Sequence, residues 1–197
     1  MRLIIDYIFN MLPYMVIAIP ILLIVRIRIY LVRKKQELKL NYFHEFGLAA
    51  FVLFLVGLAS QTIMPVWGLT SGGIENSISH HDRINLIPFQ EFITIGRIMS
   101  RGGYPDIRII QLLGNIGMFS VIGFTLPVLW KQFDKLQRTV RTCFYISLTI
   151  EFVQLFTGRS TDIDDLILNT LGGLLGFLLY SACKKATRSK VLDVFHS

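Results

Sequence analysis

Five long stretches of this sequence carry almost no charged residues, and they restrict the possible fold more than any other feature. They are residues 7–25, 46–74, 109–130, 142–157 and 166–183, and only the fourth contains an acid, Glu151. A hydrocarbon core about 30 Å thick needs about 20 apolar residues in a helix that rises 1.5 Å per residue. Only 17% of the residues are charged, against about 25% in soluble domains. The sequence therefore predicts an all-α integral membrane protein with about five transmembrane helices.

The positions of lysine and arginine predict how these helices are oriented. Three segments, 26–45, 131–141 and 184–197, hold 14 of the 20 basic residues, including all eight lysines. The alternation of segments and spans places all three on the same side of the membrane, and cytoplasmic loops are the ones enriched in Lys and Arg. We therefore expect the N-terminus outside and the C-terminus inside. The net charge of +7 then reflects topology and contact with anionic membrane lipids, and we predict no nucleic-acid partner.

The same pattern predicts three parts of the chain. Residues 1–45 form a first transmembrane helix and a basic cytoplasmic linker, residues 46–183 a membrane domain, and residues 184–197 a basic cytoplasmic tail. The first apolar run is longer than the 7–15 residues of a typical signal-peptide core, and its basic residues follow it instead of preceding it. We therefore predict that the first run is a retained helix.

Polar residues inside three of the predicted spans all lie in the outer half. Glu151 precedes Thr157 by six residues, which places its carboxyl about 9 Å below the outer end of the fourth span. A carboxyl at that depth is costly and marks a functional site by default. Asn115 reaches the same depth in the third span, where Arg108, Gln111 and Asn115 share one helix face. The shared depth predicts one outward-open polar chamber.

Other residues complete the predicted chamber, although most of them also have structural interpretations. They are Gln154 on the fourth span, Arg159 between the last two spans, and Asp162, Asp165 and Asn169 on the fifth. Amide side chains often hydrogen-bond neighbouring membrane helices, and acids at a helix start cap free N–H groups. Gly172 and Gly176 are interpreted as positions of close helix packing. Glu151 is the residue that such roles explain least, because none of them requires an ionisable group.

The long outer segment between the second and third spans contains a further predicted element. Asn85-Leu-Ile-Pro-Phe89 places Pro88 at the first position of a helix, and Asn85 joins the predicted site. The apolar face of this helix, formed by Phe92, Ile93 and Met99, predicts a helix that lies in the membrane interface over the chamber.

We predict neither a metal site nor a cofactor. His80, His81 and Asp82 have ligand chemistry, but adjacent side chains point in different directions and no partner motif follows.

Four motifs resemble the VanZ-like family of bacterial membrane proteins. They are Asn85-Leu-Ile-Pro-Phe89, Asn115-x-x-x-Phe119-x-x-x-Gly123, Glu151-Phe-Val-Gln154 and Thr161-Asp-Ile-Asp-Asp165-x-x-x-Asn169-Thr-x-Gly172-Gly-x-x-Gly176. The resemblance covers residues 46–183, with Val121 at a position where the family usually has proline. It implies a multi-pass protein of the bacterial plasma membrane and a contribution to low-level resistance to teicoplanin, a lipid-bearing glycopeptide that acts at the outer face.

Three functional hypotheses follow for the chamber. In the first, it binds an envelope lipid, a cell-wall precursor or the lipoglycopeptide itself. In the second, Glu151 and Asp165 are the acid and base of an intramembrane enzyme that modifies a lipid head group, although no activated Ser, Cys or His lies nearby. The third is a proton- or ion-coupled transporter, but no polar stripe continues through the inner half of any span.

Overall fold

The structure, a computed structural model, describes residues 2–36, 41–62, 84–157 and 161–186. The helices are α1 (Arg2–Lys35), α2 (Tyr42–Thr62), α3 (Gln90–Ser100), α4 (Asp106–Leu129), α5 (Leu136–Thr157) and α6 (Ile163–Ala186), and two short strands are β1 (Ile84–Asn85) and β2 (Thr161–Asp162). His80, His81, Asp82 and Arg159 lie outside the described residues.

The all-α membrane fold is confirmed. Four helices in the described part of the chain are long and apolar enough to cross a membrane, and their candidate spans are Met11–Lys35, Tyr42–Thr62, Arg108–Leu129 and Ile163–Ala186. The remaining long helix, α5, has 22 residues, which is also enough to cross a hydrocarbon core. It is more polar than the others because Glu151, Gln154 and several threonines interrupt its apolar sequence.

Polar contacts between helix ends give the relative directions of the helices. The side-chain amide of Gln154, near the end of α5, donates to the carbonyl of Thr62 at the end of α2, at 2.8 Å. Asn115 in the first half of α4 donates to Asp165 at the start of α6, at 2.6 Å. Consequently α2 and α5 end where α4 and α6 begin. We call this the site end of the bundle and the opposite end the basic end.

Glycines allow α4 and α6 to pack closely, and these two helices form the most extensive contact in the fold. A methyl group added at Gly172 would collide with the backbone carbonyl of Ile116, and one at Gly176 with that of Ser120. The Ser120 hydroxyl also donates to the Gly172 carbonyl at 3.1 Å. The packing interpretation of both glycines is therefore confirmed. This seam holds the first turns of α4 and α6 side by side, which positions the site.

Helix α1 extends past the first charge-free stretch into the basic segment. Residues 26–35 are helical and continue α1 instead of forming a loop. Arg26 and Arg33 reach Glu45 on α2 at 3.2 and 3.7 Å. Residues 26–35 contain no glycine or proline, arginine and lysine favour helices, and their long side chains extend charge away from an apolar stem. The helix therefore has no reason to end where the charges begin.

The start of the short helix α3 also differs from the prediction. Its first residue is Gln90, so Pro88 lies in the preceding turn and not at the first helical position. Phe89 separates them with a φ of 64°, in the left-handed region, where residues other than glycine are uncommon. The apolar face of α3 is exposed at Phe92, Ile93 and Met99, as expected of a helix in a membrane interface.

Candidate functional site

A two-residue parallel strand pair joins the loop before α3 to the loop before α6. Ile84 pairs with Thr161, and Asn85 pairs with Asp162. The Asn85 side-chain nitrogen lies 3.2 Å from both carboxylate oxygens of Asp162. Two of the sequence motifs, 77 residues apart, are thus held against each other by backbone and side-chain contacts.

Asp162 caps α6. Its Oδ1 accepts the backbone N–H of Asp164 at 2.9 Å, two residues into the helix, which is the geometry of an N-cap. Burial raises the pKa of Asp162, and the neighbouring Asp164 and Glu91 carboxylates act in the same direction. The hydrogen bonds from the Asp164 N–H and from Asn85 lower this pKa in part. The capping interpretation of this acid is therefore confirmed, although the carboxyl also contacts a second loop.

Asp164 attaches α3 to the bundle. Its side chain is 1% exposed, and its two oxygens accept the backbone N–H groups of Phe89 at 2.5 Å and Glu91 at 2.8 Å. The left-handed turn at Phe89 accompanies this contact, which satisfies N–H groups that a helix start leaves free. Sequence reasoning missed this role, because three acids within four residues give no sign of which one contacts another helix.

Replacement of Asp164 by alanine should release α3. The N–H groups of Phe89 and Glu91 would lose their acceptor, at a cost of about 1–3 kcal/mol for a buried donor left unpaired. Amide hydrogen exchange at both positions should accelerate. Glu91→Gln is the matched control, since it weakens a different contact of the same helix. Unchanged exchange at Glu91 in Asp164→Ala would contradict this role.

Arg108 makes a second attachment between α3 and α4. Its Nη1 lies 2.8 and 2.7 Å from the two carboxylate oxygens of Glu91. The side chains remain 41% and 29% exposed, so the ion pair contributes about 0–1 kcal/mol. Arg108 was predicted as a ligand-binding residue, and the structure places it at the rim of the cluster, engaged by a neighbouring helix.

Glu151 and Asp165 are the centre of the candidate site. Glu151 is 6% exposed, and its Oε2 accepts the backbone N–H of Asp162 at 3.0 Å. Asp165 accepts the hydrogen bond from Asn115 described above, and it lies near enough to Glu151 for repulsion between the two charges. We call the side chains of Glu151, Asp162, Asp164 and Asp165 the acidic cluster. The structure brings Asn115 together with Asp165 and brings Glu151 together with Asp162.

Two amide side chains lie one helical turn from the acidic cluster, on opposite sides of it: Asn169 toward the basic end and Gln154 toward the site end. The Asn169 amide on α6 donates to the Ser147 hydroxyl on α5 at 2.9 Å, and Gln154 donates to α2 as already noted. Both amide nitrogens therefore join helices, as the packing interpretation predicts. Their oxygens, Gln154 Oε1 and Asn169 Oδ1, are buried and have no hydrogen-bond partner among the described residues.

Two predicted residues do not join this arrangement in the described part of the chain. Gln111 is exposed on α4, one turn from Asn115, and Arg159 lies outside the described residues. Ser147 is fully buried and bonds to Asn169 but was not among the predicted site residues. Its position four residues before Glu151, on the same helix face, was the available signal.

An apolar groove of about 440 Å³ runs between α2 and α5 below the Gln154–Thr62 contact. Its walls include Leu55, Leu58 and Ala59 of α2 and Tyr145, Ile146 and Ile150 of α5. The groove-lining residues of α5 share one helix face, and at about 100° per residue Glu151 lies on another side of this helix, turned toward the start of α6. The groove and the acidic cluster therefore lie on different faces of α5, with the groove reaching up to the level of Ile150.

Fold and site together define an α-helical membrane protein with an acidic cluster at one end of its bundle. Among known families, the sequence model of VanZ/LLP1 matches residues 46–184. The chain belongs to this family.

A curated relative is similar to part of the chain. Protein VanZ from Enterococcus faecium is 36% identical over 84 residues, which are 42% of this chain and 52% of the relative. The chain thus spans about half the length of that relative. No solved structure matches this sequence.

Proposed function

We propose that the site end of the bundle binds an amphiphile of the bacterial cell envelope. The candidates are a membrane lipid, a cell-wall precursor lipid and a lipoglycopeptide antibiotic. Binding there would contribute to resistance to glycopeptides of the teicoplanin type. The similarity to Protein VanZ over 84 residues supports the link to resistance, and the site geometry supports the kind of ligand.

The observation that carries the proposal is the buried carboxyl of Glu151. It is held between α5 and the start of α6 at a membrane depth where ionisable groups are expensive. Helix capping and packing explain Asp162 and the amide nitrogens of Asn169 and Gln154, but they leave Glu151 without a structural need for its charge. A binding site explains why a carboxyl stands there.

The α2–α5 groove supports an amphiphile over a water-soluble molecule. A lipid chain in the groove would pass the apolar side chains of Leu58, Ile146 and Ile150, and its head group would then lie at the site end of the bundle. Each buried methylene contributes about 0.8 kcal/mol, so several methylenes would offset part of the cost of ordering the ligand.

The proposal requires the site end to face outward from the plasma membrane. A membrane-impermeant thiol reagent applied to intact cells should label Tyr104→Cys, because Tyr104 lies in the turn before α4 and is 89% exposed. The same reagent should not label Gln36→Cys. Both variants are made in a chain whose Cys143 and Cys183 are replaced. Labelling of Gln36→Cys alone would invert the orientation and remove the outward-facing site.

The proposal is tested by identifying the small molecules that copurify with the protein. The wild-type chain and Glu151→Gln are purified in a mild nonionic detergent, and the retained small molecules are compared by mass spectrometry. We expect one class of amphiphile to be enriched with the wild type and depleted with Glu151→Gln. Asp134→Asn, which removes a carboxyl at the basic end, should retain it. Identical profiles in all three samples would overturn the proposal.

A further inference from the structure

Hydrogen-bond acceptors outnumber donors at the acidic cluster. In the described part of the chain, the hydrogen bonds found to Glu151, Asp162 and Asp165 come from neutral groups. Glu151 receives the Asp162 N–H, Asp165 receives the Asn115 amide, and Asp162 receives the Asn85 amide and the Asp164 N–H. A carboxylate has two oxygens and about four acceptor positions, so donors from the described residues fill only a minority of the positions on Glu151 and Asp165.

Among the described residues, negative charges also outnumber positive charges at the acidic cluster. Counting Glu91 at the rim, five carboxyls lie close enough together to repel one another. Within the part of the chain that the structure describes, one ion pair involves these five carboxyls, and it joins Arg108 to Glu91. Buried charges are ordinarily paired, and a positive charge placed between Glu151 and Asp165 would pair with both.

Two buried amide oxygens provide an independent sign that a donor belongs here. Asn169 and Gln154 are 5% and 6% exposed, and each has turned its nitrogen toward a protein acceptor. Their oxygens are left without a donor in the described part of the structure. Asn169 lies one turn from Asp165 toward the basic end, and Gln154 lies one turn from Glu151 toward the site end, on the faces that carry these carboxyls. A buried acceptor without a donor lowers the stability of the fold by about 1–3 kcal/mol. A ligand that donates hydrogen bonds to these oxygens would remove this cost.

The arrangement of the acids favours an organic group over a metal ion. Within the described ranges, no three His, Cys, Asp or Glu side chains are grouped so that they could hold a metal ion. Calcium requires six to eight oxygen ligands at 2.3–2.6 Å, whereas an ammonium group needs only acceptors within hydrogen-bond distance. An ammonium carries one positive charge and three donors.

We propose that the acidic cluster recognises a cationic ammonium group on its ligand, and that it selects against phosphate. This inference rests on the proposed function and specifies the chemistry of the ligand that the site takes. The ammonium lies between Glu151 and Asp165 and donates to their carboxylate oxygens, and further donors of the same ligand lie toward the oxygen of Asn169 on one side and of Gln154 on the other. An anionic head group meets the same carboxyls and is repelled.

The test compares three amphiphiles with the same chain, namely dodecylammonium, dodecanol and dodecyl phosphate. The full-length protein in nonionic detergent is titrated with each, and thermal unfolding is followed, since a ligand that binds the native state raises the midpoint. We expect dodecylammonium to raise the midpoint saturably. The other two should bind about tenfold more weakly or worse, because they lack charge-assisted hydrogen bonds to carboxylates.

Variants locate the effect. Glu151→Gln and Asp165→Asn should each weaken the binding of dodecylammonium by about tenfold or more. Asp134→Asn, at the basic end, should leave this binding unchanged. Ethylammonium, which lacks the chain, separates two sources of the amine. Competition by ethylammonium indicates a soluble or peptide amine, and failure to compete indicates an aminolipid whose chain is needed for binding.

Each failure has a distinct meaning. If dodecyl phosphate binds as tightly as dodecylammonium and depends on Glu151, the ammonium inference is wrong while amphiphile binding stands. If dodecylammonium binds equally well to Glu151→Gln and Asp165→Asn, the ammonium lies elsewhere and the inference is wrong. If none of the three amphiphiles gives a saturable shift, the proposed function fails with it.

Discussion

Glu151→Gln should abolish any teicoplanin tolerance that the wild-type chain confers, without lowering the amount of protein in the membrane. The amide keeps the size of the side chain, and its oxygen still accepts the N–H of Asp162. Only the ionisable group is lost. A polar residue that merely packs would tolerate this change, since an amide bonds across helices as well. Drug susceptibility, normalised to protein in the membrane fraction, measures the effect.

Three further variants separate charge from packing. Asp165→Asn should act in the same direction but more weakly, because other acids remain beside it. Glu151→Ala should also lower stability by about 1–3 kcal/mol, since the N–H of Asp162 loses its acceptor. Asp134→Asn should leave tolerance unchanged. Full tolerance in Glu151→Gln would move the function to another part of the chain, most directly to the interfacial segment around α3.

Gly176→Ala should destabilise the bundle by about 3 kcal/mol, the upper end of the usual cost of overpacking. Its new methyl group would collide with the backbone carbonyl of Ser120, and a helix backbone cannot move aside as a side chain can. The α4–α6 contact would have to open, and Asn115 and Asp165, which lie on these two helices, would separate. Unfolding in detergent, followed by circular dichroism against denaturant, gives the free energy.

Gly117→Ala is the matched control for this change. It lies on α4, and an added methyl group there has no atom within 4 Å. The substitution should be neutral or stabilising by up to about 1 kcal/mol, because alanine favours helices over glycine. Equal stability of Gly176→Ala and Gly117→Ala would show that α4 and α6 are not in the contact described.

The long helices were predictable because their signal is strong and local. Charge-free stretches of about 20 residues have few folds available to them in a membrane, and the glycine spacing at Gly172 and Gly176 correctly indicated close packing. The continuation of α1 through Arg26 to Lys35 was not predicted, because a charge-free stretch gives the length of the apolar span and not the end of the helix. A change in charge marks a membrane surface more reliably than it marks a helix end.

The least predictable parts of the site depend on contacts between distant segments. The pairing of Asn85 with Asp162 joins residues 77 apart, and two-residue strands leave no periodic signal in the sequence. The left-handed Phe89 follows from its contact with Asp164, which no local propensity encodes. By contrast, the polar stripes of α4, α5 and α6 were visible because helical spacing places their residues on one face.

An experimental density map of the protein purified with its native membrane lipids, at a resolution that separates water from organic molecules, tests the ligand site most directly. We predict density that belongs to neither protein nor water, within hydrogen-bond distance of Glu151 or Asp165. A cluster filled by water alone, with protein donors on every carboxylate oxygen, would contradict a ligand site at this end of the bundle.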